Sequence, residues 1–403
     1  MKSGHLSEYF TGVAAKRLSA VEADVFRSNQ HEFNGVEGLK QLFGEATGKQ
    51  KFPAKFIYLT DSDSEPVVTD GFLTWYDARE RHPVRSEHRL YFPTTTVSEC
   101  AAVGDLLVIG RRPDGSVLVV VAAAGSTIAN QIEWLFGLSR LELPGFSIRD
   151  ELETEQDRVA FASRFILEQI GVVVETTEDT FLDEMLRKFD AGFPATKDFS
   201  AYARSTLADV SPREHPDAAL MAWMEREEIL FRTLERHLVA DRLARGFEKD
   251  VDGFMSFSLS VQNRRKSRAG YALENHTEFL LQSHSLRFER SGVTENKAKP
   301  DFLFPGATEY HDPAWDPLRL TMLGAKATCK DRWRQVLAEA DRIPVKHLLT
   351  LETAISTAQT DEMQTKGLQL VVPRGLHATY TPVQQNWLAD FETFVALVKQ
   401  RQG

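Results

Sequence analysis

The sequence predicts two domains: a β-rich domain with added helices, then an α/β domain whose central mixed sheet is flanked by helices. Three observations carry this. A chain of 403 residues with 42% hydrophobic content is longer than one average domain and can bury sizeable cores. Its first half contains short runs of β-forming residues separated by turn residues. Its second half alternates helix-length stretches with short, continuous apolar runs, the pattern of strands covered on both faces.

KFIYLT (55–60) and GFLTWYD (71–77) are short β-forming runs, and GDLLVIGRRPDGSVLVVVAAAG places two apolar runs around a Pro-Asp-Gly turn, which predicts a hairpin. Antiparallel strands at this spacing suggest a barrel or sandwich, with a helix over 155–169 outside it. Apolar periodicity weakens between 187 and 216, and the domain junction is expected near the start of that stretch. A long helix is expected over 217–245, beginning after Pro216 with Asp217 as its N-cap and ending before Gly246. DFLF, LRLTMLGAK, HLLTLE and LQLVVP then read as the strands of the second sheet.

A formal net charge of -10 argues against a protein that coats nucleic acid non-specifically, since phosphate binding needs a local excess of cations. Such an excess does occur in NRRKSRAG, where Arg264, Arg265, Lys266 and Arg268 have no acidic neighbour in sequence; a solvated surface turn explains it equally. No apolar run reaches about 18 residues, and the N-terminus lacks the apolar stretch of a secretory signal, so a soluble, cytoplasmic protein without membrane contact is expected. The two cysteines, Cys100 and Cys329, cannot make a disulfide framework or a four-cysteine zinc site, which fits a reducing compartment.

KPDFLF puts Asp301 at the start of one expected strand, and LRLTMLGAK brings Lys326 to the end of the next, so the two side chains could meet at one sheet edge. An acid and a lysine so placed form the core of a PD-(D/E)XK nuclease site, where carboxylates hold Mg²⁺ and the lysine positions water or stabilises phosphorane charge. The second acid usually lies two residues before the lysine, on the same strand face, but that position here is Gly324. Glu339, with twelve residues between it and Lys326, could replace it from the helix expected in DRWRQVLAEAD; a Glu339 facing solvent stays an open alternative.

NRRKSRAGYALENH, KPDFLFPGATEYHD, LGAKATCKDRWRQVLAEADRI and GLQLVVPRGLHATY, in that order, closely resemble the catalytic domain of the EcoRII-type restriction endonucleases. The resemblance runs from about residue 193 to 380. It implies a restriction-endonuclease fold with catalytic Asp301, Lys326 and Glu339, an auxiliary acid at Glu274, and Mg²⁺ held by Asp301 and Glu339. It implies that Lys330, Asp331 and Arg332 read G and C edges in the major groove, which suits their chemistry: Lys and Arg donate to guanine, and a carboxylate accepts from cytosine. Arg264, Arg265, Lys266 and Arg268 would lie on the same DNA. Cys329 between lysine and triplet reads as a packing residue. Trp223 would stack on a flipped base, unless it is a buried core tryptophan.

The resemblance further implies a homodimer on a palindromic CC/GG site such as CCWGG, and a companion DNA methyltransferase. The first half resembles the effector domain of the same enzymes, a pseudobarrel of the plant B3 type, through AKRLSAVEAD, RSNQHEFNG and WYDARERHPVRSEHRLYF. Residues 1–187 would then be the effector and 188–403 the catalytic and dimerisation domain. Lys16, Arg17, the segment 27–33 with Gln30 and His31, and Arg85, Glu87 and Arg89 would line a groove, the last three alternating along one strand face. Exposed charges on an edge strand explain any one of them as well. A second DNA copy bound there would activate cleavage. Two other functions stay open: a catalytically silent DNA-binding protein, and a nuclease for single-stranded or modified DNA.

Overall fold

The computed structural model describes residues 4–23, 31–34, 37–46, 48–62, 65–82, 84–138, 145–159, 161–174, 181–190, 192–207, 209–329 and 332–403, without the side chains of Asp157, Phe161 and Lys266. It divides into two compact units, Met1–Val173 with Ala354–Gln359, and Val174–Thr353 with Thr360–Gly403. The division falls at Val174, ahead of the weakening periodicity near 187. No helix among the described residues is long and apolar enough to cross a membrane.

The first unit is built on one eight-stranded sheet. Its strands are β1 (Gly12–Arg17), β2 (Glu32–Asn34), β3 (Gln50–Leu59), β4 (Val67–Asp77), β5 (His88–Tyr91), β6 (Leu106–Arg111), β7 (Val117–Ala122) and β8 (Ser147–Arg149). Their order is β2-β5-β4-β3-β7-β6-β1-β8, antiparallel throughout except for β3 and β7. The expected hairpin is β6-β7, registered Arg111 to Val117 across the Pro-Asp-Gly turn. The sheet curls until its ends approach: Phe33 of β2 meets Phe146, just before β8, edge to face at 5.9 Å. Helix α1 (Glu37–Phe43) packs Leu39, Leu42 and Phe43 into the same core as Trp75, Leu90 and Ile109, which gives a pseudobarrel. The helix expected over 155–169 is shorter, α-helical only at Phe161–Gln169 after a 3₁₀ turn at Glu155–Asp157. Helix α2 (Thr127–Leu135) starts at Ser126, whose side chain accepts from the Ala129 amide.

The second unit carries a five-stranded mixed sheet, ordered β13-β12-β11-β10-β9, from β9 (Glu289–Arg290), β10 (Phe302–Phe304), β11 (Thr321–Lys326), β12 (Lys346–Thr350) and β13 (Leu368–Val371). β11, β12 and β13 run parallel, while β9 and β10 are antiparallel to their neighbours. All four apolar runs marked in the sequence are strands here. Only the first residue of β12, the second of β13 and Lys326, at the end of β11, escape full burial within them.

Two long helices cover this unit. Helix α3 (Pro216–Arg245) begins with proline at its first turn, where a missing N–H costs nothing, and ends at Gly246 in the left-handed region (φ 70°). Asp217 does not cap it, contrary to expectation: its carboxylate accepts instead from the Arg374, Phe391 and Glu392 amides at 2.9–3.1 Å, anchoring the start of the helix Phe391–Gln402. Helix α4 (Val251–Ser283) contains NRRKSRAG, which is therefore helix and not a turn. Its second half buries Ala272, Leu273, His276, Thr277, Leu280 and Leu281, a stripe at three- and four-residue spacing. Glu274 lies beside that stripe.

Candidate active site

The sheet itself brings acid and lysine together. Phe302 pairs with Leu323 in an antiparallel register, so Asp301, one residue earlier, falls opposite Gly324 near the end of β11. Its Oδ2 accepts from the Ala325 amide at 2.7 Å and from Lys326 Nζ at 2.8 Å. Glu339 sits just past the short helix α5 (Trp333–Leu337), so it leaves from a turn and not from the helix the sequence suggests. Burial, and after it the charge of Asp301, push its carboxyl up to about 6, against the pull of Lys326 and Lys346. It is partly buried and feels the site; a solvent-facing Glu339 is not what the fold makes. Glu274 is raised as well, by burial first, with Arg290 pulling down and Asp301 pushing up.

Arg290 is a residue that sequence reasoning missed. On the edge strand β9, it donates to Glu274 at 2.7 Å, Glu278 at 2.8 Å and Asn275 at 2.9 Å. The alternation of RFER ahead of KPDFLF was the available signal, since it places Arg290 beside Phe302. Gly324 also gains a reason. A Cβ there would stand 3.1 Å from Val336 Cγ2 and 3.5 Å from Leu348 Cδ1. The face where the usual second acid would stand is filled by α5.

Among the described residues, no group of three His, Cys, Asp or Glu is assembled as a metal cage. The donor chemistry still fits a hard dication: carboxylate oxygens only, with the charge of Asp301 unfavourable to both neighbouring acids.

Of the residues expected to read DNA, Lys330 and Asp331 lie outside the described residues. Arg332 is exposed and donates to Thr328 Oγ1 at 2.7 Å. Cys329 is fully buried, its thiol pushed well up by that burial and by Glu352, as suits a packing residue. Within the basic cluster the expectation for Arg268 needs correction. Arg268 is 6% exposed, bonded to Glu227 at 2.6 Å and laid over Phe231 and Phe199. Arg265 bonds Glu235 at 2.6 Å, and Arg264 covers the Phe193 ring at 3.8 Å. The acidic partners lie on α3, far upstream in sequence. The side chain of Lys266 lies outside the described part.

Trp223 is 2% exposed, between His276 and Phe279, so it is a core tryptophan and not a platform for a flipped base. Beside it Arg204 approaches His276 Nδ1 at 3.0 Å. An arginine only donates, so Nδ1 accepts and the ring proton sits on Nε2, facing Glu227 Oε2 at 2.9 Å.

In the first unit Lys16 is also corrected: it is 4% exposed and paired with Glu22 at 2.6 Å, so it does not line an open groove. Arg17 pairs with Glu133. Gln30 lies outside the described residues, and His31 is half-buried against Phe92. Arg85 and Glu87 precede β5, so only Arg89 of that trio is in the strand; Arg85 is exposed, and Arg89 bonds both Glu87 and Glu32.

Residues 231–395 match the family model described as "EcoRII C terminal". The type II restriction enzyme EcoRII of Escherichia coli is 43% identical over 205 residues, 51% of this chain and 50% of that enzyme, so the chain spans about half the length of the curated relative it matches. Two solved structures resemble it at a TM-score of 0.45 and 17% identity: metal-depleted Ecl18kI with uncleaved, modified DNA, covering 55% of this chain and 83% of that one, and the PspGI–substrate DNA complex, covering 52% and 93%. The stretch that carries Asp301, Lys326, Glu339 and Glu274 lies within the residues that match that family model.

Proposed function

We propose that this chain is a Mg²⁺-dependent type II restriction endonuclease, hydrolysing phosphodiester bonds of double-stranded DNA at a CC/GG-containing palindrome of the CCWGG kind. The observation that carries the reading is the 2.8 Å contact of Lys326 with Asp301, beside two acids that feel the charge of Asp301, within the family-matched stretch. Asp301 and Glu339 would hold Mg²⁺, which supplies Lewis-acid polarisation of the scissile phosphate. Lys326 orients the attacking water and stabilises the negative charge that accumulates on the phosphoryl oxygens. Asp301, itself held by the Ala325 amide, fixes where that ammonium points. Glu274, clamped by Arg290, supports the site from the helix side.

Lys330, Asp331 and Arg332 would read the C and G edges only four to six residues from the lysine. A homodimer supplies the two-fold symmetry that a palindrome requires. The first half, 1–187, would bind a second DNA copy as an effector, with exposed Arg85 among its contacts, and a DNA methyltransferase would protect the host.

The test is to incubate the protein with Mg²⁺ and unmethylated plasmid rich in CCNGG and CCGG sites, beside Lys326→Ala, and to sequence the ends. Discrete ends at one CC/GG palindrome that vanish in the variant are expected. DNA that is bound but stays intact, even with effector duplexes added, would replace the nuclease by a silent binding protein. Cleavage confined to methylated DNA would make it a nuclease for modified DNA.

A further inference from the structure

Glu352, two residues past β12, is a buried acid with no part in the chemistry above, 6% exposed. Its carboxylate accepts the backbone N–H of Cys329. The Cys329 carbonyl accepts the Arg332 amide at 2.8 Å, and the Arg332 guanidinium returns to Thr328 Oγ1 at 2.7 Å. The chain leaving β11 after Lys326 is thus tied, through the Cys329 amide, to the end of the neighbouring strand. That end is itself fixed. Lys326 pairs in register with Thr350, the Glu352 amide donates to Thr350 Oγ1 at 3.2 Å, and the Tyr380 hydroxyl donates to the Glu352 carbonyl at 2.6 Å.

Burying a carboxylate is unfavourable, and a neutral side chain could accept from an amide at lower cost. What the charge adds is a bond roughly twice as strong as a neutral one, and so a better-defined position for the amide. Here that amide belongs to Cys329, midway in sequence between Lys326 and Arg332.

We propose that Glu352 is a positioning residue for sequence discrimination, holding the Cys329 peptide, whose carbonyl accepts the Arg332 amide, so that Arg332 meets its base at a fixed place relative to Lys326. The inference rests on the reading of Arg332 as a base-reading residue. Glu352 touches neither DNA nor the reacting atoms. It acts through Cys329, so its loss weakens the preference for the cognate site more than it weakens DNA binding.

The test uses the full chain in Ca²⁺ to keep the DNA uncut. Equilibrium affinity is measured for a short duplex carrying CCWGG, or whichever CC/GG palindrome the end mapping returns, and for its scrambled counterpart. Glu352→Ala and Glu352→Asp, which remove or withdraw the acceptor, are expected to lower the cognate preference about 10- to 100-fold, the range that one good base contact carries. Glu352→Gln, which keeps an acceptor within reach, loses less, and affinity for the scrambled duplex stays unchanged in all three. Combined with Arg332→Ala, Glu352→Ala adds no further loss of preference, because both act through one contact.

Additive losses, or equal losses on both duplexes with a lowered Tm, would make Glu352 a merely structural acid. If Glu352→Ala fails to fold, the ranking of Asp below Gln decides in its place, and equal behaviour of the two overturns the proposal. If Arg332→Ala loses preference while every Glu352 variant keeps it, only the positioning role falls. An Arg332→Ala protein with full preference removes the base-reading role, and this inference with it.

Discussion

At the scale of single residues, Glu339 carries opposed demands. Its carboxyl is raised to about 6 by burial and by Asp301, above the ordinary value of 4.5. A raised acid stabilises the fold below its unfolded pKa, and that contribution is lost as pH rises through about 4.5 to 6. At neutral pH the ionised Glu339 is therefore a burden on the metal-free protein. Glu339→Gln is expected to abolish cleavage while raising stability at pH 7 by about 1 kcal/mol, the shift being discounted for the solvent around a half-buried group. At pH 4 the gain disappears. Denaturant unfolding of both proteins at the two pH values checks this, and a variant less stable at pH 7 would refute it. A cation held by Glu339 must also displace its proton below about 6, so apparent Mg²⁺ affinity should fall as pH drops through that value, read by calorimetry.

At the scale of elements, the strands were readable because short, near-continuous apolar runs bounded by polar and turn residues are the pattern of strands covered on both faces in an α/β domain. The site followed from them, since Asp301 and Lys326 flank two such runs. What could not be read was what faces what. Arg265 and Arg268 looked unopposed because their acids, Glu235 and Glu227, come from α3, 30 and 41 residues upstream. The empty position at Gly324 was visible, but not its cause, the Val336 side chain of α5 3.1 Å from where a Cβ would be. That contact predicts how the element answers an attempt to move the acid back. Gly324→Asp in a Glu339→Ala background restores the common strand spacing yet should not restore cleavage, because the carboxylate would press into Val336 and Leu348. The overpacking alone should cost about 1–3 kcal/mol. Adding Val336→Ala makes room, and any activity regained then, measured on mapped plasmid, would show that the helix alone displaced the acid; recovery without it would refute the packing account.

At the scale of the molecule, the chain does not divide at one point. Ala354–Gln359, deep in the second half of the sequence, belongs to the first unit. Nothing in its composition signals this, because bonds that hold it come from far away in sequence, one of them from a threonine 232 residues distant from its partner. Thr127, buried at the start of α2, donates its hydroxyl to Gln359 Oε1 at 2.9 Å and accepts the Ser356 amide at 3.1 Å. Asp61 satisfies the amides of Thr127 and Ile128 at 2.8 and 3.1 Å, so the helix start stays capped whatever the hydroxyl does. Thr127→Val keeps the shape and removes both bonds. A buried amide deprived of its acceptor costs about 1–3 kcal/mol, and the loss falls on the unit that contains both ends. Thermal unfolding of the full chain should therefore show the pseudobarrel transition lowered while that of the mixed-sheet unit holds, with Thr127→Ser restoring it. Two transitions lowered equally would mean that the returning segment is not counted in one unit alone.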